Sequence, residues 1–218
     1  MDNGTKLLAY YDVALREVEG GDARRFLDWV RKRRRPTEAD VSYFLSEYTF
    51  IVSAAGFRES TVSRRFDGLR RALAKFDPTW LKEMSTEQIE AAYMEHMLRN
   101  HAKAKAVADT LRRYSARTWE VHALLERLES TKDPDVLKTL PYIGDALKYH
   151  FSRNLGLDVA KPDVHMLRLA PRFGFSADAA GVQTMCEYVA ERRGERVGAV
   201  DYVLWYLAKV EATGDTEV

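Results

Sequence analysis

The sequence predicts an all-α protein. Apolar residues recur every three or four positions along most of the chain, which places them on one face of a helix. No stretch of useful length alternates strictly between apolar and polar residues, as a half-buried strand does. Proline, glycine and capping residues divide the periodic stretches into helices of ordinary length.

The N-terminal elements follow from this periodicity. Leu7, Tyr11 and Val18 fall on one stripe of a first helix, and Pro36 suits the first position of a later helix. Residues 43–55 are apolar nearly all round, which is typical of a buried central helix.

Residues 56–60 interrupt the pattern, and residues 61–76 resume it as an amphipathic helix ended by Asp77 and Pro78. Further helices are predicted at 86–98, 101–128, 133–139, 144–154, 163–173, 177–193 and 198–211. The long helix at 101–128 suggests a division into two lobes. We expect a central lobe of residues 36–130 and a second lobe that joins residues 1–35 to residues 131–218.

Composition excludes several classes of protein. The chain has 218 residues, no apolar run long enough to span a membrane and no signal-peptide pattern, so we expect a cytoplasmic monomer, nucleoid-associated in a prokaryote. Its single cysteine, Cys186, lies in an apolar helical pattern typical of a core residue. One cysteine excludes an intramolecular disulfide and a cysteine-ligated iron–sulfur cluster.

Charge permits nucleic-acid binding without requiring it. The formal net charge is only +1, although basic residues cluster in short runs such as 31–35, 64–65, 70–71, 112–113 and 192–193. A local basic face matters more for binding phosphates than the sum of charges does. Each run is equally well explained as a solvated helix face.

The most informative segment is residues 133–154, which predicts a short helix, a tight turn closed by Gly144 and a second helix. Backbone N–H groups at the start of that second helix would bind an anion such as one DNA phosphate. Pro141 fixes its own φ, and Ile143 is expected to point inward. An ordinary corner between two helices would account for the same residues.

A second segment contains Lys161, Pro162 and Asp163. The proline forces an extended backbone before it, and Asp163 then occupies the N-cap position of the next helix. Helix capping by itself is a sufficient explanation of this aspartate.

Together, Leu-Pro-x-Ile-Gly at 140–144 and x-Pro-Asp-x-His at 161–165 resemble the helix-hairpin-helix (HhH-GPD) DNA glycosylase superfamily. The resemblance is strong over 131–175. It extends more weakly to 44–66, similar to the family's central helix and DNA-probing loop, and to 100–107. It implies an all-α, two-lobed fold with the DNA and base cleft between the lobes, and it implies that Asp163 is the catalytic carboxylate.

The same resemblance assigns contacts with DNA phosphate to Pro141, Tyr142, Gly144 and Ala146. Tyr142 replaces the first glycine of the usual hairpin. Ala146 stands where members that also cleave the strand have a lysine. Lys148, another candidate, is about 200° further round a helix and should face elsewhere. The alanine in place of that lysine favours a monofunctional enzyme without efficient lyase activity.

The resemblance places Tyr149 and His150 in the base pocket, where a flipped base is stacked and hydrogen-bonded. Both residues would equally serve as packing. Glu47 either lines the pocket or pairs with an arginine. His165 and Arg168, which follow the aspartate, are further site candidates.

The loop that breaks the central helix supplies Phe57 and Arg58 as candidates to probe the DNA and fill the space left by a flipped base, although local packing is the alternative for Phe57. Family members often hold a monovalent cation through hairpin carbonyls, which here are those of Lys138, Leu140 and Ile143. No other cofactor is expected.

The predicted function is therefore that of a DNA glycosylase, which flips a modified base from duplex DNA and hydrolyses its N-glycosidic bond to leave an abasic site. Alkylated, oxidised, deaminated and hypermodified bases all remain open, in repair or in defence against modified foreign DNA. The missing lysine leads away from bifunctional enzymes for oxidised bases and towards an alkylated purine or another modified base. The main alternative is a non-enzymatic helix-hairpin-helix DNA-binding module. A helix-turn-helix regulator is a weaker alternative, because no recognition helix with a polar, base-reading face is evident.

Overall fold

The structure, a computed structural model, describes residues 2–32, 35–57, 59–97 and 99–214. Within these ranges the chain is helical and contains no strand, which confirms the predicted fold class. The α-helices are α1 (Asn3–Gly20), α2 (Arg24–Lys32), α3 (Val41–Ala54), α4 (Glu59–Ala72), α5 (Pro78–Leu81), α6 (Thr86–His96), α7 (His101–Ala116), α8 (Thr118–Thr131), α9 (Leu147–Leu155), α10 (Val164–Leu169), α11 (Ala179–Arg193) and α12 (Val197–Thr213). Short 3-10 segments occur at Pro36–Glu38, Ala74–Phe76, Pro134–Thr139 and Ala170–Phe173. None of the described helices is both long and apolar enough to cross a membrane.

The single helix predicted over 101–128 is wrong, because the structure has two helices there, α7 and α8. Arg117 lies between them with φ −133° and ψ 59°, outside the helical region. The Glu120 carboxylate accepts hydrogen bonds from Arg113 at 2.9 Å and Arg117 at 3.1 Å. These contacts span the corner between the two helices and favour it over a continuous helix.

Other helices end earlier or begin later than predicted. α4 ends at Ala72, and the 3-10 segment that follows has left-handed backbone at Ala74, Lys75 and Phe76. α10 ends at Leu169, because Pro171 has no N–H with which to continue the helix. α9 begins at Leu147 rather than at Gly144.

The chain forms two compact units. The terminal unit comprises Met1–Arg33 and Asp158–Val218, and the central unit comprises Arg34–Leu157. This division differs from the predicted lobes, since residues 131–157 belong to the central unit instead of the other one.

In the terminal unit, α1, α2, α10 and α11 all pack against α12. Cys186 is fully buried in the core of this unit, as predicted. Burial, followed by the nearby Asp201 carboxylate, raises the pKa of its thiol well above the usual value.

In the central unit, α3 is the central helix. It contacts α4, α7, α8 and α9, and Phe44, Tyr48 and Ile51 on its surface are completely buried. The sequence-based prediction of a buried central helix is therefore confirmed. The hairpin rests on α3 through α9, with the Phe44 and Phe151 ring centroids 5.3 Å apart.

Candidate functional site

The predicted hairpin is a 3-10 segment, Pro134–Thr139, followed by a turn and then α9. Leu140 and Ile143 are buried, so the expected inward direction of Ile143 is confirmed. The Tyr48 hydroxyl on α3 donates a hydrogen bond to the Pro141 carbonyl at 3.2 Å. Apolar burial and this bond together fix the turn on the central unit.

Backbone donors are exposed after this turn. The amides of Asp145, Ala146 and Leu147 have no acceptor in the described part of the chain. They precede the first intrahelical bonds of α9, at the end of a helix where the dipole favours negative charge. The turn can therefore bind an anion.

Gly144 is not required by the fold. Its φ lies outside the left-handed region, and a Cβ built on it would have no atom within 4 Å. Neither backbone strain nor crowding requires glycine at this position. The open space beside its Cα allows a ligand to approach the backbone from outside the protein.

Tyr142 has a φ of 65°, in the left-handed region that glycine adopts most easily. For another residue this conformation costs about 1–2 kcal/mol. The side chain is 44% exposed and stands beside the free amides of the turn. A glycine would adopt this backbone without that cost, so the tyrosine holds a conformation that is strained for a residue with a Cβ.

Lys148 is buried and belongs to an ion cluster, whereas Ala146 is exposed. The Lys148 ammonium bonds Asp135 closely and lies 3.4 Å from Asp145. Lys138 contacts the same two carboxylates, at 3.2 Å from Asp135 and 2.5 Å from Asp145. The two lysines therefore join the 3-10 segment to the end of the turn.

The cluster holds its members in their charged forms. Burial alone would lower the pKa of Lys148, but the hydrogen bond to Asp135 and the other contacts raise it above the usual value. Hydrogen bonds to Asp145 and then Asp135 likewise raise the pKa of Lys138. The pKa of Asp135 is lowered, first by Lys148 and then by Lys138. Neither lysine is therefore poised as a neutral amine.

Asp163 caps α10. Its Oδ1 accepts the His165 amide at 3.0 Å and the Met166 amide at 3.2 Å. Its Oδ2 accepts no hydrogen bond from the described residues. The predicted cap is present, and one half-buried carboxylate oxygen is left for another partner.

The backbone before Asp163 is fixed by side chains that sequence reasoning missed. The Ala160 amide donates to Gln183 at 2.9 Å, and the Lys161 amide donates to Asp201 at 3.0 Å. Asp201 is 1% exposed, on α12. An acidic residue inside an apolar helical run was the available signal, because buried carboxylates need partners.

His165 and Arg168 both line a cleft of about 240 Å³ within the terminal unit. Arg168 is exposed, and the buried Nδ1 of His165 has no hydrogen-bond partner. Arg172 and Glu211 lie across the same cleft and pair with each other at 2.7 Å. Two basic side chains thus lie in the helical turns that follow Asp163.

The base-pocket candidates lie on α3 and α9 of the central unit. Tyr149 and His150 are half-buried, and the Lys148 ammonium is 4.9 Å from the centroid of the Tyr149 ring. Glu47 accepts a hydrogen bond from the Asn154 side chain at 2.9 Å. The pair of Glu47 and Asn154 was not predicted, because 107 residues separate its members.

Phe57 lies in the loop after α3 and is 45% exposed. The Lys103 ammonium lies 4.9 Å from the centroid of its ring. The exposure suits a probing role and the contact suits local packing, so the probing role stays a prediction. Arg58, the second residue predicted to probe DNA, lies outside the described residues.

The described residues contain no group of three or more acidic, histidine or cysteine side chains suited to a metal ion. The carbonyls of Lys138, Leu140 and Ile143 are a different type of donor. The Leu140 carbonyl accepts the Ile143 amide at 3.2 Å and keeps a second lone pair. Carbonyl oxygens suit a hard monovalent cation, and such a site at the hairpin stays a prediction.

The chain has the fold of known DNA glycosylases. It matches the structure of the 8-oxoguanine glycosylase/lyase of Methanocaldococcus jannaschii in complex with DNA containing 8-oxoguanine, with a TM-score of 0.63 and 16% identity over 98% of this chain and 100% of that one. It matches the 8-oxoguanine DNA glycosylase of Thermotoga maritima with a TM-score of 0.59 and 21% identity over 94% and 97%. No protein-family model and no curated protein matches the sequence. The resemblance inferred from 140–144 and 161–165 is thus confirmed for the fold.

Proposed function

We propose that this protein is a DNA N-glycosylase that excises a modified base from duplex DNA and leaves an abasic site. The observation that carries the proposal is Asp163, whose Oδ1 caps α10 while its Oδ2 accepts no hydrogen bond from the residues that the structure describes. A carboxylate with one oxygen fixed and one available can act on a substrate, and the fold, which is one that DNA glycosylases use, supports this role for Asp163.

The hairpin supports duplex DNA as the partner. The three amides without an acceptor among the described residues and the unobstructed backbone at Gly144 suit the oxygens of one phosphate. Such contacts recognise the DNA backbone without reading sequence, and they orient the protein on the duplex.

Asp163 would act on the sugar. As the bond between C1′ and the base nitrogen breaks, its electron pair leaves with the base, which takes up a proton, and positive charge develops on the sugar. A nearby carboxylate stabilises that charge. A water molecule attacks C1′ and passes its proton to the carboxylate or to solvent, which completes hydrolysis.

We propose that the enzyme is monofunctional. Ala146 offers only a methyl group where a lyase needs an amine, and the Lys148 amine is held protonated by Asp135 and Asp145. An imine forms only from a neutral amine. Borohydride should therefore trap no covalent complex of the wild-type protein with a DNA product.

The matched variant is Ala146→Lys, at an exposed position that accepts a longer side chain. Trapping by that variant and not by the wild type is the expected pattern. A wild-type adduct that disappears in Lys148→Ala would instead identify Lys148 as a nucleophile and contradict the monofunctional assignment.

The experiment that tests the proposal is incubation with duplexes that each carry one modified base, followed by hot alkali to cleave abasic sites. The panel includes 8-oxoguanine, alkylated purines, deaminated pyrimidines in mismatches and hypermodified pyrimidines. The solved structures of similar fold support 8-oxoguanine, whereas Ala146 favours a different modified base. Cleavage names the substrate. Duplex binding with no cleavage on any member would favour the non-enzymatic DNA-binding module.

Gly144→Ala should separate DNA binding from stability. Its Cβ meets no protein atom, so we expect stability to be unchanged or raised by about 0.4–1 kcal/mol. In the complex the same methyl would occupy the space of the phosphate, and duplex affinity should fall roughly tenfold. Thermal unfolding and fluorescence anisotropy with a labelled duplex measure the two effects.

Gly20→Ala is the control, since its Cβ also meets nothing within 4 Å and the residue lies at the end of α1. This change should leave duplex affinity unaltered. Equal affinities of Gly144→Ala and the wild type would show that DNA does not approach the turn.

A further inference from the structure

Lys103 on α7 holds the end of α3. Its side chain is 6% exposed, and its ammonium donates hydrogen bonds to the Ala55 carbonyl at 2.5 Å and the Ser53 carbonyl at 3.4 Å. Carbonyls at the C-terminus of a helix lack intrahelical donors and carry partial negative charge. A buried cation at this position satisfies them and fixes the path of the chain as it leaves α3.

The same ammonium also contacts the loop that follows. It lies 4.9 Å from the centroid of the Phe57 ring, within the range of a cation–π interaction. Gly56 has a φ of 77°, which turns the chain, and the Phe57 amide returns to the Ala54 carbonyl at 3.0 Å. One side of the ring is thus held by Lys103, while 45% of the residue remains exposed.

Lys103 has no carboxylate partner in the part of the chain that the structure describes, unlike the other buried lysine, Lys148. Burial lowers the pKa of its amine. Among the described residues its charge is compensated by the Ser53 and Ala55 carbonyls and by the Phe57 ring, which belong to the end of α3 and the loop after it. The lysine is therefore tied to the loop more than to the rest of the core.

We propose that Lys103 is a positioning residue that holds the Phe57 ring outward, so that the ring enters the base stack when the target base leaves it. This inference rests on the proposed function and on the sequence-based prediction that Phe57 fills the space of the flipped base. Lys103 does not touch the reacting atoms. It sets the direction and the rigidity of the residue that opens the duplex.

A double-mutant cycle tests the coupling. Lys103→Met keeps the length of the side chain without the charge, and Phe57→Leu keeps an apolar residue without the ring. Each should lower the single-turnover excision rate by about tenfold. The double variant should be no slower than either single variant, because each change already removes the same contact between Lys103 and the Phe57 ring. Affinity for unmodified duplex should stay within about twofold, since phosphate contacts are untouched.

A second readout does not need excision. A duplex with 2-aminopurine at the target position becomes more fluorescent when the ring takes the place of that base and the base leaves the stack. Wild-type protein should raise this signal, and Lys103→Met and Phe57→Leu should both abolish the rise. Lys103→Arg, which keeps the cation and its donors, should restore it. If Lys103→Met does not fold, the shorter and uncharged Lys103→Gln takes its place in both assays.

The control is Lys209→Met, which removes another lysine that lies 5.0 Å from an aromatic ring, that of Trp205 on α12. This variant should change neither signal. Additive effects of the two loop changes, or no fluorescence rise with wild-type protein, would overturn the inference. A fluorescence rise that depends on both residues without any excision would uphold it and contradict the glycosylase proposal instead.

Discussion

Asp163→Asn should lower the rate of base excision by roughly 10²- to 10⁴-fold while leaving duplex affinity and stability nearly unchanged. Asparagine has the same shape and caps helices as well as aspartate does, so the bonds to the His165 and Met166 amides survive. What it lacks is the negative charge of the free oxygen, which would stabilise the cationic sugar. Single-turnover excision at saturating enzyme, with binding measured by anisotropy, separates the two effects.

Asp178→Asn is the matched control. Asp178 caps α11 in the same unit, accepting the Gly181 amide at 2.7 Å and the Ser176 hydroxyl at 2.9 Å. It should leave excision unchanged. Wild-type excision by Asp163→Asn would reduce Asp163 to a helix cap, and Asp163→Ala would then cost only about 1 kcal/mol of stability.

Local signals account for the part of the site that could be predicted from sequence. Proline restricts its own φ, glycine is common in turns and aspartate is common at helix N-caps, so Pro141, Gly144 and Asp163 predict the turn and the cap without tertiary structure. The buried central helix could be predicted for a similar reason, since a helix that is apolar on all sides must be covered by other parts of the protein. The corner at Arg117 contains no proline or glycine that would mark a helix end. The sequence therefore predicts one helix where the structure has α7 and α8.

The supporting contacts could not be predicted, because they join residues distant in the chain. Asp201 reaches the Lys161 amide across 40 residues, and Lys103 reaches the Ala55 carbonyl across 48. Their donors and acceptors include backbone groups, which every residue type supplies and which therefore leave no sequence pattern. A polar residue in an apolar helical run indicates that its side chain has a hydrogen-bonding partner, but the sequence does not identify that partner.

Phe151→Ala should destabilise the protein by about 3–5 kcal/mol, a large part of the 5–15 kcal/mol typical of a domain. The ring is fully buried, with its centroid 5.3 Å from that of Phe44 and 6.4 Å from that of Tyr48. It attaches α9, and with it the hairpin, to α3. Removing it leaves a cavity at that junction. Urea unfolding at 25 °C, with an unchanged m-value, measures the loss.

Phe57→Ala makes the same chemical change at a ring that is 45% exposed, and it should alter stability by no more than about 0.5 kcal/mol. The two variants should therefore separate stability from activity. Phe151→Ala lowers the free energy of unfolding, whereas Phe57→Ala lowers the excision rate of a protein that remains folded. A loss below about 1 kcal/mol in Phe151→Ala would mean that the aromatic cluster does not anchor the hairpin. The anchor would then be the polar one, the hydrogen bond from the Tyr48 hydroxyl to the Pro141 carbonyl.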